Sequence, residues 1–337
     1  MGKRIGQTGL KRIFAVGVAI WGSLSSFGQE RARGGLGEGP RGQGERPEQM
    51  EKVDLPEPEV RIFIEGSFRH IESNGVPNHE TGSFPGRGNP HAILPQQHKW
   101  KVPAKPEIAE EPTSLQRHPF GVALNGIPID PGTAEYWNRD PRSGWRYEAL
   151  TGHVNLGIDL SNAHVQPTGA YHYHGVPHGV LHSHDRPDEM TMIGYAADRF
   201  PIYANFGYVQ ANDPASGIKE MKSSWKIKEG PRPSGSDSPG GEYDGRFTAD
   251  WEYVEGYGDL DVLNGRFGTT PEYPEGIYHY YITEQFPYVP RMYKGKPDES
   301  FARRAVAPRG GTRGPGGPRG PRGENGPRGS RGPRPAN

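Results

Sequence analysis

The 337-residue chain contains no cysteine, which excludes disulfides, thiolate metal ligands and a lipid-carrying cysteine behind a leader. Any metal site must draw on imidazole, carboxylate, carbonyl or phenol, a donor set that favours zinc, copper, iron or manganese. Long apolar runs are equally scarce. The one extended run, residues 13–24, falls short of the roughly 20 residues that span a bilayer. No window of the central region keeps an apolar 3.6-residue period for three turns, so a helical bundle is excluded. The chain also lacks a glycine-rich phosphate loop after a strand, a Gly-X-Ser-X-Gly elbow and a His-Glu-X-X-His pair. Nucleotide binding, α/β-hydrolase chemistry and the common zinc-protease chemistry therefore find no support.

Charge and punctuation mark off four segments. Lys3, Arg4, Lys11 and Arg12 precede the apolar run, and Ser26 and Gly28 place small residues where a signal peptidase reads. Residues 1–28 thus read as a cleaved signal peptide, with Lys11-Arg12 only a near match to a twin-arginine leader. The expected location is secreted or periplasmic, with no membrane span after cleavage. Residues 29–59 are rich in Gly, Pro, Arg and Glu with almost no apolar side chains, and read as a low-complexity linker. Residues 60–297 are long enough for one folded domain. Residues 298–337 form a basic tail in which glycine recurs every third position from Gly311 to Gly332, a collagen-like period. Such a tail is disordered, or it joins three chains into a homotrimer, or it attaches to an acidic surface. The zero net charge hides this division: residues 29–300 hold 27 basic and 39 acidic side chains. So acidic a body is unsuited to nucleic acid as the main partner, because affinity there rests on neutralising phosphates.

With 50 glycines and 35 prolines, the central region reads as an all-β or loop-rich, mainly β single domain. Strands are expected over residues 60–64, 191–196, 224–228, 251–254 and 276–283, and a hairpin over 122–129 around Asn125-Gly126. Pro128 would place its strand at a sheet edge. One short helix is expected near residues 133–137, and a long loop over 229–242.

The least probable stretch is residues 170–184, which hold five of the thirteen histidines. If residues 171–174 are extended, the period of two sends His172 and His174 to one face and Tyr171 and Tyr173 to the other. Two imidazoles then converge on one point, the arrangement by which a single strand supplies two metal ligands. The alternative is a polar core in which both rings pair with carboxylates or carbonyls. Asn125-Gly-Ile-Pro-Ile-Asp-Pro-Gly132, His164-Val-Gln-Pro-Thr-Gly-Ala-Tyr-His-Tyr-His-Gly175, Gly194-Tyr-Ala-Ala-Asp198 and the run from Leu263 to Tyr280 closely resemble the bacterial YHYH domain family, and Ser73-Asn-Gly-Val-Pro-Asn-His79 fits it too. The resemblance covers most of residues 60–297 and implies a secreted or envelope domain of unsettled activity. Arg199 stands where the family pattern has glycine, and His178, His182 and His184 lie outside the motif.

Completion of the site is expected from His279, in Tyr278-His279-Tyr280, and from His79, in the turn Asn78-His79-Glu80, with His164 as a third or supporting ligand. Tyr173 is a candidate phenol for redox or proton transfer, against a packed core role. Asp130 and Asp198 are candidate site acids, against turn and capping roles. Asp259, Asp261 and Asn264 suggest calcium, but their spacing misses the EF-hand loop. Two functions follow. In one, a copper or zinc centre acts on an extracellular small molecule or polymer by redox chemistry or through a metal-bound water. In the other, the domain is a non-catalytic binding or scaffold module with a structural Tyr/His core.

Overall fold

A computed structural model describes residues 51, 53–115, 118–181 and 189–302. The expected signal peptide, most of the linker, nearly all of the tail, and His182 and His184 lie outside the described residues. Glycine and proline at this density cut the chain into short strands, and β structure dominates.

The domain opens with an antiparallel meander of β1 (Val60–Glu65), β2 (Phe68–Ser73) and β3 (His98–Pro103). Three two-stranded ladders flank the rest: β4 (Thr113–Ser114) with β17 (Met292–Tyr293), β11 (Phe206–Gln210) with β12 (Asp213–Glu220), and β13 (Trp225–Ile227) with β14 (Trp251–Tyr253). The central eight-stranded sheet contains β5 (Gly121–Ala123), β6 (Pro128–Ile129), β7 (Ala163–Val165), β8 (Tyr171–Tyr173), β9 (Met192–Ala196), β10 (Pro201–Tyr203), β15 (Gly265–Gly268) and β16 (Ile277–Tyr281). Its spatial order is β15-β16-β10-β9-β5-β6-β8-β7, with β10/β16 and β6/β8 parallel and every other pair antiparallel.

One turn recurs through this sheet. Residue i accepts from the N–H of i+3 and donates to the carbonyl of i+4, with the fourth residue left-handed: Gly126 (φ 78°), Asn162 (φ 54°), Gly169 (φ 83°), Arg199 (φ 85°) and Asn264 (φ 55°). Glycine and asparagine are the residues that accept this conformation at least cost, and a type I turn closed by such a residue suits the twist of a hairpin. Arg199 is the exception among these five.

The core lies on the sheet. Phe120, Ile129, Tyr171, Tyr173, Ile202, Tyr280 and Tyr293 are almost wholly buried in one cluster, and Met190, Met192, Tyr203, Met221 and Tyr281 form a smaller one. Full burial contributes roughly 1.5–3 kcal/mol for each large apolar side chain, and the tyrosine-rich strands lie within this core. Two expectations need correction. Pro128 lies in the sheet interior rather than at an edge, between β5 and β8. It is tolerated because β6 first meets β8 at Ile129↔Tyr173, so the missing N–H falls before that ladder begins. The helix expected over 133–137 appears slightly later, as two 3-10 turns at Trp137–Arg139 and Pro141–Ser143, the second started by Pro141 behind an Asp140 cap. The described residues contain a single α-helical turn, α1 (His178–Leu181).

Candidate metal centre

The site is built by a turn that sets a register. Gln166-Pro167-Thr168-Gly169 closes with Gly169 N–H donating to Gln166 O at 2.8 Å and Gln166 N–H donating to Ala170 O at 2.9 Å. Proline presets φ at the first turn position, and Gly169 supplies the left-handed one. A side chain there would also collide with Leu94, whose Cβ lies 2.5 Å from where the new Cβ would sit. From that turn the pairing runs Val165↔Tyr171, His164↔His172, Ala163↔Tyr173. His164 is thereby directly across from His172 and diagonal to His174, all on one face.

The three rings form a nearly equilateral group, with centroids 4.7 Å (His164–His172), 4.9 Å (His164–His174) and 4.7 Å (His172–His174) apart. One nitrogen from each lies within 4.8 Å of the others. Nitrogens about 2.1 Å from a tetrahedral ion stand about 3.4 Å apart, so gripping one requires the rings to close by about 1.4 Å or less. His172 and His174 are almost wholly buried, and His164 partly.

Hydrogen bonds fix which nitrogens are free. His164 Nδ1–H donates to Leu156 O at 2.9 Å and His172 Nδ1–H to Ala170 O at 3.3 Å, which leaves a lone pair on each Nε2. Neither nitrogen of His174 has a partner among the described residues, although both are buried. An unmade bond at a buried polar atom costs about 1–3 kcal/mol. All three imidazoles are held neutral. Burial lowers His172 to about 3, with the neighbouring His164 ring as a second cause. Burial also lowers His174 well below the usual histidine value, followed by the fields of His172, His164 and Arg291, and burial lowers His164. Neutral rings whose nitrogens lie this close together are the form in which histidine binds metal.

The opposite face of β8 is closed. Tyr171 donates to Asp159 Oδ2 at 2.7 Å. Tyr173 donates to His79 Nε2 at 2.7 Å and accepts from Asn125 Nδ2 at 2.9 Å, which makes it a core phenol on the far side from the triad. His79 uses its other nitrogen on Glu80 O at 2.8 Å. It packs against the tyrosines and does not join the histidine cluster. His279 does not join it either: its Nδ1 donates to Ile277 O at 2.9 Å and its Nε2 accepts from Tyr281 OH at 2.9 Å. His178 pairs with Glu284 at 3.3 Å.

Asp198 is fully buried, accepts from Tyr280 OH at 2.6 Å and Gly295 N–H at 2.8 Å, and is raised by burial to about 6. Asp261 accepts from Leu263 N–H, Gly265 N–H and Tyr278 OH, and Asp259 from Lys219 and Lys222 N–H, so these two are turn carboxylates in place of a calcium loop. Asp130 is different. One residue past the Ile129↔Tyr173 pairing, it falls on the histidine face of the sheet.

His164 and His172 open onto a cleft of about 580 Å³, also lined by His91, His118, Asp130, Glu135, Arg146 and Gln166. That volume suits a small molecule. His164 lies eight positions before His172, and a hairpin between them sets it as the third member of the group, ahead of His79 and His279. The signal was the Pro167-Thr168-Gly169 turn, which fixes residues summing to 336 as partners.

A family model described as "YHYH protein" matches residues 99–295, more than half of the chain. No match was found among curated proteins or among solved structures.

Proposed function

This chain belongs to the YHYH family, and from that premise we propose that the histidine face of β8 is a transition-metal centre serving a small-molecule cleft. His164, His172 and His174 are the ligands in this reading, in place of a set completed by His79 and His279. The observation that carries it is the pair of buried, unpartnered nitrogens on His174 within a triad of neutral rings. Three imidazoles without thiolate suit copper or zinc, and such an ion supplies redox or Lewis-acid chemistry at the cleft floor. Three protein ligands leave a coordination position for a ligand entering from the cleft. The chain's own residues orient the site: Leu156 and Ala170 carbonyls hold two rings by their Nδ1–H groups. The domain over 60–297 then acts outside the cytoplasm, secreted or periplasmic, behind a signal peptide and linker, with the basic tail for surface attachment or trimerisation.

Elemental analysis of protein exported by its own leader tests this, alongside a His172→Ala/His174→Ala variant. One equivalent of metal in the parent and almost none in a folded variant is expected, and an electron paramagnetic resonance signal separates copper(II) from zinc. Clearly sub-stoichiometric metal in a parent never exposed to chelator contradicts the proposal.

A further inference from the structure

Arg146 is a guanidinium in the wall of this cleft, and its hydrogen bonds leave one edge open. Its Nε and Nη2 both donate to the Tyr136 hydroxyl, Nε at 2.9 Å, and the group lies 5.1 Å from the centre of the Tyr136 ring. The backbones of Tyr136 and Arg146 are joined by a β-bridge, so ring and guanidinium are held together. Tyr136 therefore occupies the Nε side of the fork. The Nη1–Nη2 edge, which presents two parallel N–H groups, remains for a planar bidentate acceptor. Among the described residues no carboxylate stands within ion-pair distance of Arg146.

The rest of the lining agrees. Among the described residues the cleft's carboxylates and guanidinium are Asp130 and Glu135 against Arg146. A divalent ion on the triad turns that balance to a net positive one, so an anion is favoured once metal is bound. His118 also lines the cleft. Its Nδ1–H donates to Leu115 O at 3.1 Å, and its buried Nε2 is an acceptor with no partner among the described residues.

We propose that the cleft binds a small carboxylate, with Arg146 as its bidentate anchor beside the metal centre. The inference rests on the metal reading for the favourable charge balance, and on Arg146 alone for the anchor. The carboxylate pairs with the Nη1–Nη2 edge, and His118 Nε2 accepts from a hydroxyl or amine on the same molecule.

The test is calorimetric titration of metal-loaded protein with succinate, its neutral isostere succinamide, and inorganic phosphate, with metal content measured on every sample. Succinate is expected to bind, succinamide not, and phosphate more weakly than succinate. Arg146→Met should weaken succinate binding at least about tenfold at unchanged metal content, the loss expected for a charge-assisted pair. Arg146→Lys, which keeps the charge without the fork, should lose less, and guards against misfolding of the methionine variant. Succinate binding that is absent, equal in Arg146→Met and parent, or weaker than phosphate overturns the proposal. If the parent takes up no metal, the metal reading fails separately, and the same titration on the metal-free protein decides the anchor: Arg146-dependent binding upholds it, and its absence overturns it.

Discussion

Two hairpins of the central sheet are built alike and end differently. β7–β8 is preceded by Asp159-Leu-Ser-Asn162-Ala and contains Tyr171-His172-Tyr173. β15–β16 is preceded by Asp261-Val-Leu-Asn264-Gly and contains Tyr278-His279-Tyr280. In each, the aspartate accepts from backbone N–H groups two and four residues on, the asparagine is left-handed, and a buried tyrosine on the second strand donates to that aspartate. The difference lies across the strand. His172 faces His164, and His279 faces Arg266. In the second hairpin Tyr281 OH satisfies the histidine, and a cation beside it opposes metal. In the first, three rings meet and His174 is left without a partner. The same Tyr-His-Tyr pattern thus has its histidine satisfied within the hairpin or set in a triad of rings according to its cross-strand neighbour.

The comparison can be broken at its turns. Gly169→Ala meets both a left-handed backbone and the Leu94 side chain, and should cost about 2–4 kcal/mol, with metal uptake reduced as the register loosens. Gly276→Ala, at φ 88° with no atom closer than 3.6 Å to the added Cβ, should cost about 1 kcal/mol. Denaturant melts of the pair test this, and equal losses would remove the claim that the first turn is specially constrained.

The tyrosine faces give smaller effects. Tyr280→Phe strips the buried Asp198 of a donor and should cost about 2–3 kcal/mol, whereas Tyr173→Phe loses the neutral bonds to His79 and Asn125 and should cost about 1–2 kcal/mol. A reversed order in thermal or chemical unfolding would count against Asp198 as a buried charge-bearing partner.

Acid should act on both hairpins of the metal-free protein. His172 is lowered to about 3 and His279 to about 4, both first by burial, so each contributes stability that is full above the unfolded value and is lost as pH falls towards the folded one. Between pH 7 and 5.5 each should lose about 1 kcal/mol. Unfolding midpoints for parent, His172→Gln and His279→Gln measure it; variants with undiminished acid sensitivity would refute the assignment.

The smallest change is a gain. Arg199→Gly relieves a left-handed arginine in a turn otherwise served by glycine and asparagine, and should stabilise by about 0.5–1 kcal/mol in the same melts.

Much of this architecture was legible in the sequence, and what was missed has two causes. β1, β9, β13, β14 and β16 were expected from β-branched and aromatic runs, and Asn125-Gly126 marked a real hairpin. The alternation of Tyr171 to His174 correctly separated the two faces, because a period of two is a local property of the strand. What sequence did not reveal was pairing between distant strands. Pro128 reads as an edge residue only when β8 beyond it is unknown, and β2, β3 and β12 carry mixed, half-exposed side chains with no clean pattern. His279 stood out by its flanking tyrosines and His79 by its turn, but the nitrogens of each are taken up elsewhere, by Ile277 O and Tyr281 OH and by Glu80 O and Tyr173 OH.

Elemental analysis of single alanine variants at His164, His79 and His279, each purified without chelator beside the parent, tests the central claim most directly. Loss of nearly all metal from His164→Ala, with parent-like content in folded His79→Ala and His279→Ala, is the predicted result. Full metal in His164→Ala, or its loss from His279→Ala, would contradict the account.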